Sequence, residues 1–182
     1  LDEATRLFGV KGYVGTSVRE LVEAAGVTKP TLYYYFGSKE GLFLETVELH
    51  MLQLERVITD ALDSDDPVTT KLRTFAHNVV VEATANPDAM RFLVTAQHNP
   101  EEGQPKVDLL TLHRQRMEPL GKLLCSGVEH GQLRADLDLE TLIYSFIGIV
   151  NMFVMMGFHG VKPPDAFADQ IVDLFLHGAA AR

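Results

Sequence analysis

Apolar side chains recur every three or four positions along most of this 182-residue chain. That spacing places them on one face of an α-helix, and the first such helix ends near Gly12. Ser17 and Glu20 have the spacing of a capping box, which predicts that a second helix begins after Ser17. Gly26 ends this helix, because glycine readily adopts the positive φ of a tight turn.

A third short helix follows directly after this turn. Thr28 is placed to cap its first amides, and Gly37 marks its end. Leu32 and Phe36 lie four positions apart and are predicted to face inward. Tyr35 is also expected to be buried, against the first helix, because aromatic side chains at such positions more often pack than contact a partner.

The rest of the chain repeats the helical pattern. A long helix is predicted from Ser38 to about Asp63. Proline- and glycine-containing breaks then predict helices at residues 68–85, 87–98, 105–130, 138–158 and 164–179. We find no segment with the two-residue alternation of a half-buried strand, and so the sequence predicts an all-α fold.

Composition narrows the class of protein. Hydrophobic residues make up 46% of the chain, which is enough to bury a core. Cys125 is the single cysteine and cannot form an internal disulfide, so we expect a cytoplasmic protein. The apolar segment 142–158 is short for a membrane span and contains glycine and polar residues, which favours a buried or interface helix and no membrane partner. Leu1 lies within an amphipathic pattern, and we expect the natural chain to begin upstream.

Charge is distributed unevenly. Residues 1–41 contain five basic and five acidic side chains, so the net charge of −9 lies in the remaining chain. No acidic residue occurs between Glu23 and Lys39, and the third helix carries a lysine, a threonine and three tyrosines. A core would not satisfy so many hydroxyl groups, which makes DNA the leading candidate partner of this segment.

Residues 1–46 resemble the DNA-binding domain of the TetR family of bacterial transcriptional regulators. The segments that carry the resemblance are Ala4–Gly12, Thr16–Leu21, Ala24–Val27, Thr31–Phe36 and Ser38–Leu42. The resemblance implies a helix-turn-helix DNA-binding domain at 1–46 and a helical ligand-binding and dimerisation domain at 47–182. It further implies a dimeric repressor that binds a palindromic double-stranded operator and responds to a small-molecule effector.

The resemblance also implies which residues contact DNA. They are Thr16, Ser17, Thr28, Lys29, Pro30, Thr31, Tyr33, Tyr34 and Lys39. Thr16 and Ser17 would hold a phosphate at the start of the second helix. Residues 29–31 and Tyr33 would face base edges in the major groove, while Tyr34 and Lys39 would hold the flanking backbone.

The spacing of histidine and cysteine residues indicates neither a catalytic site nor a metal site. The seven histidines occur singly, without a His-x-x-x-His pair or a second cysteine. No local signature makes Cys125 a nucleophile. We therefore expect no enzymatic activity, no cofactor and no metal ion.

Polar groups on otherwise apolar helices suggest a pocket for a mostly hydrophobic effector. The candidate ligand-binding residues are Phe75, Val79, Phe92, Gln97, Leu110, His113, Met117, Phe146, Asn151 and Met152. The simpler interpretation is that any one of them fills the helical core. A helical carrier or sensor without DNA-binding activity is the alternative function.

The last two predicted helices both carry apolar stripes, which we expect to form a homodimer interface. The stripes comprise Ile143, Ile147, Val150 and Val154 on one helix and Phe167, Ile171, Leu174 and Phe175 on the other. Packing within a single chain is the competing explanation for both stripes.

Overall fold

The computed structural model describes residues 1–98, 102–108, 111, 115 and 117–179. In this part of the chain, helices are the only regular secondary structure, which confirms the all-α prediction. Their bounds are α1 Asp2–Lys11, α2 Val18–Ala25, α3 Lys29–Phe36, α4 Lys39–Leu62, α5 Val68–Ala85, α6 Pro87–His98, α7 Glu118–Glu129, α8 Leu139–Phe158 and α9 Phe167–Ala179.

The ends of α2 and α3 agree with the capping signals in the sequence. The Ser17 side chain accepts a hydrogen bond from the Glu20 amide, and the Glu20 carboxylate accepts one from the Ser17 amide. Gly26 adopts φ 64° in the turn that follows. Thr28 then caps α3 by accepting a hydrogen bond from the amide of Thr31 at 3.3 Å. Local side-chain chemistry therefore sets both ends of this turn.

Two predicted helix starts are wrong. Residues 105–108 are not helical, although the described residues Thr111 and Gln115 are, and α7 begins at Glu118 after Met117 rather than near residue 105. The last helix begins at Phe167 rather than at Pro164.

The chain forms two compact units. The N-terminal unit comprises Leu1–Gln53 and Asn86–Leu109, and the C-terminal unit comprises Leu54–Ala85 and Leu110–Arg182. One boundary falls inside α4, and another falls between α5 and α6. The helix α6 therefore belongs to the N-terminal unit. A functional boundary after residue 46 stays a prediction.

Aromatic rings hold the N-terminal unit together. Phe8 of α1, Phe43 of α4 and Phe92 of α6 are each only 1% exposed. The Phe43 ring centroid lies 5.3 Å from that of Phe8 and 5.4 Å from that of Phe92, in edge-to-face geometry. Nearby, the buried Thr5 hydroxyl lies 2.7 Å from Nε2 of His50, which joins α1 to α4. These contacts fix the frame that carries α2 and α3.

In the C-terminal unit, α5 packs against α8 and α9. Phe146 of α8 lies between Phe75 of α5 and Phe175 of α9, with ring centroids 5.7 and 5.1 Å away. On the surface, the Arg73 guanidinium lies 3.0 Å from a carboxylate oxygen of both Asp169 and Asp173. The aromatic contacts form the centre of the core, while the exposed ion pairs contribute little to stability.

The helix α8 is long and apolar enough to cross a membrane, with a mean hydropathy of 1.8. Length and composition alone are weak evidence, because core helices of soluble proteins have the same properties. Its inward residues Phe146 and Val150 are buried against other helices of the unit. This packing agrees with the predicted buried or interface helix.

Candidate functional site

The helix α3 is held by a small apolar anchor and exposes most of its surface. Leu32 is 4% exposed, and it packs in the region where α3 meets α2, which buries Leu21 and Val22. By contrast, Tyr33 is 47% and Tyr34 is 83% exposed. These three buried side chains thus support a surface on which the phenol groups of Tyr33 and Tyr34 are accessible to a partner.

Tyr35 belongs to this exposed surface, and the expectation that it is buried is wrong. It is 71% exposed, and its ring meets that of Tyr34 edge to face with centroids 5.1 Å apart. The helix α3 packs mainly on α2, so the side of α3 that carries Tyr35 is left uncovered. Helical periodicity reports which face a residue occupies but not whether another element covers that face.

The first turn of α3 is polar and carries a positive charge. Lys29 and Pro30 are exposed, and no carboxylate in the described part of the chain forms an ion pair with Lys29. The hydroxyl groups of Thr28 and Thr31 lie 2.8 Å apart and share a hydrogen bond. A helix N-terminus with an unpaired lysine attracts anions.

The start of α2 already holds an anion of its own. The Glu20 carboxylate accepts hydrogen bonds from the Ser17 hydroxyl at 2.7 Å and from the Lys11 ammonium at 2.5 Å. The Lys11 hydrogen bond, followed by those from Ser17, lowers the pKa of Glu20 to about 2. A phosphate bound by the exposed Ser17 would therefore lie beside a carboxylate that stays charged, which weakens this part of the predicted site.

The Thr16 side chain does not reach the surface, which corrects its predicted contact with phosphate. It is fully buried at 0% exposure. Its hydroxyl donates to the backbone carbonyls of Gly12 at 2.7 Å and Leu7 at 3.3 Å. The group stabilises the loop between α1 and α2, because a buried hydroxyl without a partner would be costly. Its adjacency to Ser17 gave no sign of this burial.

Lys39 is likewise directed inward rather than outward. Its ammonium donates to the backbone carbonyls of Tyr13 and Thr16, each at 2.9 Å. It also lies 4.1 Å from the centre of the Tyr13 ring, in cation–π geometry. The predicted contact of Lys39 with DNA backbone would require the ammonium to leave these groups.

Among the described residues, two of the cavities lie in the C-terminal unit. The larger, which we call the α7–α8 cavity, has a volume of about 590 Å³ and includes Met117, Gly121, Cys125, Ile143 and Ile147 in its lining. The smaller, of about 360 Å³, lies between α5 and the loop before α9. The volume of the α7–α8 cavity and its largely apolar lining are typical of small-molecule sites.

The structure does not gather the predicted ligand-binding residues into one site. Met117 lines the α7–α8 cavity, whereas Phe75 and Phe146 lie in the core and Val79 is half-buried on α5. Asn151 and Met152 are exposed on α8. The Gln97 side chain, Leu110 and His113 lie outside the described residues.

Phe92 requires a clear correction. It packs against Phe8 and Phe43 in the N-terminal unit, and neither cavity of the C-terminal unit includes it in its lining. Its helical pattern indicated an inward face correctly. The sequence alone did not indicate which unit that face covers.

Most of the apolar residues that were predicted to form a dimer interface are buried within the chain itself. Val150 and Ile171 are 1% and 2% exposed, respectively, and Ile147 and Phe175 are also buried. Leu174 of the predicted stripe is instead 67% exposed. Tyr144 at 53% and Met152 at 61% exposure lie outside the predicted stripes and are also open.

The described residues contain no group of three or more His, Cys, Asp or Glu side chains placed to hold a metal ion. Cys125 is half-buried, and its thiol lies 3.8 Å from a Glu129 carboxylate oxygen.

Comparisons with known proteins agree with this architecture. Residues 1–46 match the family model described as bacterial regulatory proteins, tetR family. The uncharacterized HTH-type transcriptional regulator YdgC of Bacillus subtilis is 27% identical over 187 residues, which cover 98% of this chain and 89% of YdgC. The HTH-type transcriptional repressor KstR2 of Rhodococcus jostii is 25% identical and covers 100% of this chain and 89% of its own length.

A solved structure shows the same arrangement. The TetR family transcriptional regulator PfmR of Thermus thermophilus superposes with a TM-score of 0.72 at 28% identity, covering 97% of this chain and 96% of PfmR. The helix-turn-helix geometry of α2 and α3, the matched N-terminal segment and the relatives that cover nearly the whole chain lead to one conclusion. Residues 1–46 form a DNA-binding domain of the TetR family of bacterial regulatory proteins, and the chain is similar to regulators of that family over nearly its whole length.

Proposed function

We propose that the protein is a repressor that binds a palindromic operator as a homodimer and releases it in response to a small, mostly hydrophobic effector. The observation that carries this proposal is the exposed, acid-free surface of α3, held on a buried frame. The relative KstR2 is named a repressor, which supports the same direction of control.

Operator recognition centres on α3. Lys29, Pro30, Thr31 and Tyr33 face base edges in the major groove, where hydrogen-bond donors and apolar groups distinguish base pairs. At the margins of this surface lie Thr28, Tyr34 and the exposed Ser17, which contact phosphates of the DNA backbone. The acidic remainder of the chain repels DNA, which favours binding through the N-terminal unit.

A homodimer presents two copies of α3 to one operator. The outward face of α8, which carries Tyr144 and Met152, is apolar and uncovered in the single chain, as is Leu174 of α9. Pairing of these faces would bury them, as an obligate homodimer interface does. The two copies of α3 would contact two half-sites of the operator, whose centres are about 34–36 Å apart or somewhat more.

The effector site that we favour is the α7–α8 cavity. Its apolar walls suit a hydrophobic molecule, and Gln115, Cys125 and Tyr144 supply a few polar groups. For the effector to control DNA binding, effector and operator must favour different separations of the two α3 helices. The helix α4 begins beside α3 and continues into the C-terminal unit, and its displacement would change that separation.

This function requires neither catalysis nor a cofactor, and it places the protein in the bacterial cytoplasm with its DNA. A helical carrier without DNA-binding activity would share the α7–α8 cavity but would show no affinity for DNA. A measurement of binding to duplex DNA therefore distinguishes a repressor from a carrier.

Selection from a random pool of duplexes tests the proposal. We expect the protein to enrich a palindromic sequence, and its affinity for that duplex to fall steeply with added salt through counterion release. Hydrophobic compounds that bind the protein should weaken this affinity by about 5- to 150-fold, the usual range of coupling between sites. Failure to enrich any sequence would exclude operator binding.

A further inference from the structure

We propose that Lys39 is a positioning residue for operator binding, which fixes the α1–α2 loop (residues 12–17) against the start of α4 and thereby sets the placement of α2 and α3. The proposal rests on the proposed DNA-binding function. It assigns Lys39 an indirect role in place of a phosphate contact.

Three contacts join the Lys39 ammonium to the α1–α2 loop. It donates to the carbonyl oxygens of Tyr13 and Thr16, each at 2.9 Å, and lies 4.1 Å from the Tyr13 ring centroid. The two carbonyls are three residues apart in the loop, so one ammonium closes the loop from one side. A lysine with several directed partners loses the freedom that a solvated lysine keeps.

The position of this charge in the helix is unusual. Ser38 caps α4 by accepting a hydrogen bond from the Gly41 amide, which makes Lys39 the first helical residue. A cation at a helix N-terminus is disfavoured by the helix dipole. The loop carbonyls and the Tyr13 ring face offset this repulsion.

The Thr16 carbonyl connects the Lys39 contact to α2 and, through α2, to α3. Thr16 directly precedes Ser17, the residue that caps α2, and the Thr16 hydroxyl is held by Gly12 and Leu7. The helix α2 in turn packs on α3. Release of Lys39 would free one side of the loop and loosen the start of α2. The position of α3 would then be less well defined, and hydrogen bonds from α3 to base edges depend steeply on that position.

A direct phosphate contact makes a different prediction. Each lysine that neutralises a phosphate contributes about 0.9 to the slope of log affinity against log salt. A positioning residue changes affinity through geometry and leaves that slope almost unchanged. Lys29, which is exposed, provides the matched lysine for comparison.

The test uses the full chain and a duplex that the wild-type protein selects from a random pool. Fluorescence anisotropy gives the affinity of wild type, Lys39→Met, Lys39→Arg and Lys29→Met over a series of salt concentrations. We expect Lys39→Met to weaken binding about tenfold or more with an unchanged salt slope, because two charge-assisted hydrogen bonds are lost. Lys29→Met should lower the slope by up to about 0.9.

Lys39→Arg should restore most of the affinity, because a guanidinium also donates to carbonyls and stacks on aromatic rings. Amide hydrogen exchange without DNA supplies an independent readout. Residues 12–17 should exchange faster in Lys39→Met than in wild type and return to the wild-type rate in Lys39→Arg.

Two results would overturn the proposal. One is a salt slope lowered by about 0.9 in Lys39→Met, which indicates a phosphate contact. The other is unchanged affinity and exchange in a folded Lys39→Met protein. If wild type itself selects no duplex, the proposed function fails, and the exchange experiment still reports on the contact between Lys39 and the loop.

Discussion

Gly9 of α1 lies so close to Phe92 of α6 that a β-carbon at Gly9 would come within 3.1 Å of the Phe92 amide nitrogen. Backbone atoms cannot move aside as a flexible side chain does. We predict that Gly9→Leu destabilises the N-terminal unit by about 1–3 kcal/mol through overpacking. Thermal unfolding followed by circular dichroism measures this loss.

Val10→Leu is the matched control, because Val10 is its neighbour on α1 and is 57% exposed. This variant should unfold at nearly the wild-type temperature. If Gly9→Leu is as stable as Val10→Leu, the close approach of α1 and α6 is not present in solution.

The capping box of α2 should make stability depend on acid. Glu20 has a folded pKa of about 2 against an ordinary value of 4.5, so its contribution is present above the ordinary value and is lost as the pH falls towards 2. Glu20→Gln keeps a capping group but removes the charge that binds Lys11. We predict that wild type exceeds Glu20→Gln in melting temperature at neutral pH and that the difference vanishes near pH 2. A difference that does not change with pH would contradict this account.

Local signals in the sequence were sufficient to predict where α2 ends and where α2 and α3 begin. Ser17, Gly26 and Thr28 each set a helix end through contacts within a few residues, and all three ends are confirmed. The all-α fold followed from periodicity in the same way. The start of α7 was not predicted, because residues 105–108 are not helical and this helix begins at Glu118.

Burial was harder to predict because it depends on elements that are distant in the sequence. Thr16 and Lys39 are polar residues of the matched segment, but partners in other elements direct them inward. Tyr35 is exposed because no other element of the described chain covers its side of α3, and Phe92 packs in the N-terminal unit instead of lining a ligand site. No spacing within the sequence reports these pairings.

The outward face of α8 should control oligomeric state. Met152 is 61% exposed in the single chain, and a charge placed there would be buried in the proposed dimer. We predict that wild type is a dimer and that Met152→Glu is monomeric by light scattering at the same concentration. Gln132→Glu, at an exposed site before α8, should remain dimeric. A dimeric Met152→Glu protein would place the interface elsewhere.

A single phenol group should affect DNA binding without affecting the fold. Tyr33 is 47% exposed, and removal of its hydroxyl in Tyr33→Phe should cost about 0.5–1.5 kcal/mol of operator affinity. Its melting temperature should equal that of wild type. Gln132→Ala, altered at an exposed residue of the C-terminal unit, should bind the selected duplex as wild type does. Equal binding by Tyr33→Phe would remove this hydroxyl from the interface.

Photocrosslinking tests the central claim, that the exposed face of α3 contacts DNA, most directly. A photoreactive phenylalanine derivative replaces either Tyr34 or Val161, which are 83% and 47% exposed. Each protein is irradiated with the duplex selected by wild type, at a salt concentration where both are bound. We predict crosslinks to the duplex from position 34 and none from position 161. Crosslinks from position 161 alone, with binding intact, would contradict the account.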